Sequence, residues 1–212
     1  MNINNKELIL PLLEFTEEGD FYSVLVLKRK KDQPENEKDN HQSVRTIKTY
    51  VVESVEYLEK RWDEITHLCE YFKARAYISV QKQNHKQVGL QMLSELALRI
   101  ANGNYKFNNL FDSTVGKLKP LQKRWIVDID TKNDSYINKI VNTINSVKPV
   151  VYNLNFDLTK IKKIIPTKQG VHLITHPFDV QEFTKELVIN NIVVPDIQKC
   201  NPTLLYLPNS LM

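Results

Sequence analysis

Trp125-Ile126-Val127-Asp128-Ile129-Asp130 is a short apolar strand that carries two carboxylates, two residues apart, at its C-terminal end. Side chains alternate across a strand, so Asp128 and Asp130 share one face while Trp125, Val127 and Ile129 share the other. Two like charges side by side repel. A hard divalent cation such as Mg²⁺ or Mn²⁺, which takes carboxylate oxygens and suits phosphoryl chemistry, is one way to hold them. Plain solvation at a strand end is another, so the pair decides a function only together with what surrounds it.

Downstream of this strand the pattern changes period. Asp134 or Ser135 starts a helix that puts Ile137, Ile140, Val141, Ile144 and Val147 on one face, and Pro149 lies just past its end. Strands are expected at 150–154 and 161–165, and a turn over Pro166-Thr167-Lys168-Gln169-Gly170 leads into the strand 171–176. The capping box Asp179-x-x-Glu182 opens a second helix, continued by Phe183 and Leu187, and Thr203–Leu207 reads as a last strand. The order is βαββαβ with one spare strand. It predicts a ferredoxin-like, RRM-like unit in which the first and third strands are central neighbours and both helices cover one face. Alternation then leaves Asp128, Asp130, His172 and His176 together on the open face of the sheet.

Upstream, Phe21–Leu27 and Val44–Val52 read as strands, separated by a polar stretch, 31–43, expected to be an exposed and mobile loop. Ser54 caps a helix whose Val55, Leu58, Trp62, Ile65, Leu68, Cys69 and Phe72 recur at spacings of three and four. A strand at 74–81 follows, then a helix opened by Asn84-x-x-Gln87 and closed near Gly103. Residues 104–123 look irregular and suit a connection. The expected class is therefore α+β: an N-terminal α/β unit, 1–123, packed with a ferredoxin-like palm-type catalytic unit, 124–212.

Composition bounds the rest. A chain of 212 residues with 42% hydrophobic residues and only 5 glycines can bury a sizeable core and is neither collagen-like nor low-complexity. No apolar run reaches the length of a membrane span, and the N-terminus lacks the layout of a signal peptide, so no membrane partner and a cytoplasmic location are expected. Cys69 and Cys200 have no CxxC companion, which argues against a disulfide framework or a cysteine zinc site. The net charge of +4 is compatible with nucleic acid without requiring it.

An acid pair in an apolar strand, followed by a helix, a hairpin and a glycine-flanked strand bearing histidine, resembles the catalytic domain of the archaeo-eukaryotic primase superfamily. Its first motif, hhhDhD/E, is matched by Ile126-Val127-Asp128-Ile129-Asp130; its second, SxH, is approached by Gly170-Val171-His172, with glycine where the family has serine. The resemblance covers 124 to about 208. It implies a metal-dependent nucleotidyltransferase of primase-polymerase type, acting in replication or repair, with Asp128 and Asp130 as ligands of Mg²⁺ or Mn²⁺ and His172 on the phosphates of a nucleoside triphosphate. Thr167 and Lys168 in the adjoining turn are candidates for the missing serine's phosphate contact, and His176 for a further one. Arg75 and Lys82 are candidates for the backbone of a single-stranded or primed nucleic acid. The family's third acid has no clear counterpart: Asp179 reads as a helix cap and Asp196 as a loop residue, so a partner chain that completes the site is also considered. The alternatives are a metal-dependent nuclease or phosphodiesterase, and a non-catalytic nucleic-acid-binding or adaptor domain of the same fold.

Overall fold

The computed structural model describes residues 2–33, 44–118, 122–150 and 159–211. Most of the polar stretch 31–43 and nearly all of the strand expected at 150–154 lie outside them. The described chain is a mixed α/β structure with two antiparallel sheets.

The elements in chain order are β1 (Ile3–Asn4), α1 (Lys6–Ile9), β2 (Asp20–Arg29), β3 (Val44–Val52), α2 (Val55–Phe72), β4 (Arg75–Ile78), β5 (Gln83–Asn84), α3 (His85–Ala101), α4 (Leu110–Lys117), β6 (Trp125–Ile129), α5 (Asp134–Ser146), β7 (Ile161–Pro166), β8 (Val171–Thr175), α6 (Val180–Ile189), β9 (Asp196–Gln198) and β10 (Thr203–Leu207). Capping follows the sequence where a short polar side chain precedes an apolar stripe: Ser54 accepts from the Tyr57 amide, Asn84 from Lys86, and Asp179 from Gln181 and Glu182. At α5 the cap is Asn133, one residue before the expected start, accepting from Tyr136.

The smaller sheet has the order β7-β8-β6-β9. Strands β6 and β8 are direct antiparallel neighbours, as expected, with Asp128 opposite His172. Trp125, Val127, Ile129 and Leu173 pack against Ile137, Ile140 and Ile144 of α5 and Phe183 and Leu187 of α6, so both helices cover one face.

Three expectations need correction. Thr203–Leu207 does not close this sheet. It runs between β1 and β4 in the larger sheet, of order β1-β10-β4-β2-β3, and β9 takes the edge beside β6 instead. All five β10 residues are buried, which suits a strand covered on both faces, whereas β9 is three residues long and partly exposed, as an edge strand should be. The chain thus returns to its first unit after 124, and both ends of the described chain sit in the larger sheet. The second correction concerns the face opposite α5 and α6, which is not open. Its residues Ile126, Ile165 and Ile174 join the core built by Val24, Ile78, Leu205 and the α2 side chains Leu58 and Ile65. The stretch 104–123, read as irregular, contains α4.

Candidate functional site

Antiparallel register decides the site. Asp128 on central β6 has His172 opposite it on β8 and Asp196 opposite it on β9, so three side chains of one face meet in a row. Asp130, just past the end of β6, follows on the same face. The imidazole of His172, almost wholly buried, bridges the two sheets: Nδ1 lies 2.9 Å from Thr203 Oγ1 on β10 and Nε2 3.4 Å from Asp128 Oδ1. A carboxylate only accepts, so a proton between Asp128 and His172 sits on Nε2; in the tautomer that carries it there alone, Nδ1 accepts from the Thr203 hydroxyl. The Gln198 amide donates to Asp128 at 3.3 Å and to Asp196 at 3.0 Å, occupying the space between two carboxylates. Asp196 was read as a loop residue; it is on a strand, placed where a third acid would be useful.

A small pocket of about 60 Å³ opens beside this row, with Asp128, Asp130 and His172 on one wall, Thr167 and Lys168 at the rim, and Arg29, Arg75 and Tyr77 of the larger sheet on the other wall. Five sequence candidates therefore converge with Arg75: Asp128, Asp130, His172, Thr167 and Lys168. Thr167 also holds its own turn, exchanging hydrogen bonds with Gly170, and Lys168 donates to the Leu211 carbonyl at 2.5 Å. Arg75 forms a bidentate pair with Asp32, 2.7 and 2.6 Å, both side chains buried. That pair pins the start of the stretch expected to be a mobile loop, and it leaves Arg75 as a shielded charge in the wall rather than a free phosphate clamp. Arg29, more exposed, was not singled out by the sequence; it lies at a strand end with no local motif to mark it.

Two candidates lie elsewhere. His176 is buried beyond the end of β8 distant from Asp128, and burial pushes its imidazole below the ordinary range, with Lys162 and Arg124 adding to the effect. It therefore does not share an open surface with the acids. Lys82 is buried and ion-paired with the fully buried Asp20 at 2.8 Å, so it is not a surface charge awaiting a nucleic-acid backbone. Burial alone would raise the Asp20 carboxyl, but Lys82, Asn84 and the Glu17 and Thr16 amides outweigh it and hold it well below the usual carboxylate range. Breaking a buried pair usually costs about 3–5 kcal/mol. Because the amide donors remain around Asp20, Lys82→Met should cost about 2 kcal/mol in urea unfolding, the cost of one lost charged partner. A change within about 0.5 kcal/mol would instead mark Lys82 as an ordinary surface lysine.

The Asp128 carboxyl is held below its usual value chiefly by His172; burial opposes this, and Arg29 and Gln198 add to it. A carboxyl lowered on folding contributes stability that is present above its unfolded value, about 3.9, and lost as pH falls through the lowered one. The expected result in carboxyl ¹³C NMR is an Asp128 titration below the free-peptide range that moves upward in His172→Ala. Identical midpoints in the two proteins would show that His172 does not govern the acid. The same variant should also lose stability, because the ring bridges two sheets; on an open face it would have been nearly silent.

The donor set suits a hard cation: oxygen ligands, anionic, at a partly exposed strand end. Among the described residues no group of three His, Cys, Asp or Glu side chains converges closely enough to form a metal cage. Mg²⁺ does not need one, since it is commonly held by one or two carboxylates together with substrate phosphates and water. No helix among the described residues is long and apolar enough to cross a membrane. No known protein family, curated protein or solved structure matches the chain.

Proposed function

We propose that this chain is a metal-dependent nucleotidyltransferase of primase-polymerase type, a divergent or minimal relative of the archaeo-eukaryotic primases, acting on single-stranded or primed nucleic acid. The observation that carries the reading is the row His172, Asp128, Asp196, flanked by Asp130 and facing Arg29, Arg75 and Lys168 across a pocket. The strand order β7-β8-β6-β9 with both helices on one face supports the ferredoxin-like arrangement that such palms use.

In this reading Asp128 and Asp130 would hold Mg²⁺ or Mn²⁺ together with triphosphate oxygens and water, and the ion would supply charge neutralisation at the triphosphate and a more acidic primer hydroxyl. Asp128 keeps its negative charge because His172 stabilises it. The His172 Nε2–H, 3.4 Å from Asp128 Oδ1, is the donor that could serve a phosphate oxygen in the pocket. Lys168 and Arg29 place positive charge on the rim, where phosphates enter. The Gln198 amide, now shared between two carboxylates, is the group a cation would displace.

The deciding experiment is primer synthesis and extension on a single-stranded template with Mn²⁺ and nucleoside triphosphates. Lengthening products that vanish in EDTA are expected. Template degradation without any triphosphate would favour a phosphodiesterase, and template binding that persists in EDTA without turnover would favour an adaptor domain.

A further inference from the structure

A second cavity is much larger than the acid pocket. A cleft of about 630 Å³ lies between the larger sheet and α4, within the range of sites that enclose a small molecule or a single nucleotide unit. Its floor includes Ser23 and Leu25 of β2. These alternate with Val24 and Val26, which face α2, so the cleft and Arg29 share the same face of β2. From Ser23 to Arg29 the strand covers about 20 Å. Cleft and acid pocket are therefore two stations on one sheet face.

The lining states what the cleft would accept. It offers amides from Gln83 and Asn109, hydroxyls from Thr49 and Ser79, and the carboxylate of Asp112, with Lys and Arg absent from its described walls. Such a wall suits a neutral ligand rich in donors and acceptors and disfavours a phosphate. Phe111 supplies an aromatic ring to the wall and is backed by the fully buried Phe21, on which it stacks at 6.2 Å and 26°. Planar, apolar faces of this kind are what unpaired bases stack on. Gln83 adds the sharpest indication. It is only 7% exposed as a residue, it lines the cleft, and none of the side-chain hydrogen bonds among the described residues engages its amide. Its amide atoms are not sealed in the interior, so they open onto the cleft and can meet a ligand there.

We propose that this cleft is a pocket for an unpaired nucleobase of a single-stranded nucleic acid, with Gln83 reading its hydrogen-bonding edge and Phe111 walling its face. Asp112, an acceptor, biases the pocket toward bases with an exocyclic amino group, so cytosine and adenine bind better than uracil. That the strand is a template passing the acid row rests on the reading above; base recognition stands on the cleft itself.

The two cysteines make the test direct. Cys200 lines the cleft and is exposed, while Cys69 is fully buried. The rate of Cys200 alkylation by N-ethylmaleimide is measured on the full chain in EDTA, without triphosphate, in millimolar cytidine, uridine or ribose. Cytidine should slow it several-fold, uridine less, and ribose not at all. Gln83→Leu should abolish the protection, and Asp112→Asn, at an exposed position that tolerates change, should erase the preference for cytidine over uridine. Protection by ribose equal to that by cytidine, full protection in Gln83→Leu, or no protection by cytidine would each overturn the pocket. Because metal and triphosphate are absent, such a failure leaves the transferase reading intact, and a failed primer assay leaves the pocket intact.

Discussion

Gly170→Ser, the substitution that would complete the serine-x-histidine motif, should unfold the site rather than restore it. A Cβ at position 170 would lie 1.8 Å from the Ile129 carbonyl oxygen, 2.6 Å from the Thr131 nitrogen and 2.8 Å from the Thr131 oxygen. These are backbone atoms of the segment that carries Asp130, and they cannot rotate aside as a long side chain can. Overpacking in a core typically costs about 1–3 kcal/mol, and contact with fixed backbone belongs at or above the top of that range. We expect about 3 kcal/mol or more of lost stability for Ser and nearly as much for Ala, because the first atom added is the one that collides. Denaturant midpoints of the two variants test this. A Gly170→Ser protein as stable as the wild type would mean that the β6–β8 corner relaxes freely, and the steric reason for glycine here would be gone. With serine excluded at 170 by this contact, the Thr167 hydroxyl, which reaches the same pocket from the turn, is the remaining candidate for the serine's role.

Gly170 also shows where a sequence stops being readable. Its small size is required by a strand 40 residues earlier in the chain, and local pattern carries no trace of such a contact. The adjacency of β6 and β8 was legible because both are apolar strands of matched alternation, separated by a helix with a strong stripe and followed by a capped one. The destination of Thr203–Leu207 was not. A five-residue apolar strand fits the edge of one sheet or the middle of another, and only its complete burial between β1 and β4 distinguishes them. Asp196 was hidden for a related reason: three residues after a proline show no period, and β9 exists because β6 offers an unpaired edge. Arg75 and Lys82 were recognised as cations, but charge in a sequence does not reveal its partner. Asp32 and Asp20, both distant in the chain, neutralise them.

The acid row makes the other strong prediction. From sequence alone, two adjacent unligated carboxylates repel, so Asp128→Asn should raise stability in metal-free buffer. The structure reverses the sign. Asp128 is stabilised as an anion by His172, Arg29 and Gln198, and its carboxyl is lowered on folding, so the charged form favours the fold and the amide forfeits that contribution. The Asn variant should therefore melt slightly below the wild type without metal. With Mn²⁺ the two should diverge further, since a bound ion stabilises by mass action and the gain grows with its concentration only where ligands hold it. In the primer assay the same change should lower turnover by about 10²–10³-fold, the scale on which one electrostatic contact to a transition state is lost. A wild-type melting temperature indifferent to millimolar Mn²⁺, alone and with nucleoside triphosphate, would remove the metal site. Asp128 and His172 would then be a pair that ties two sheets together, and the adaptor reading would take the lead.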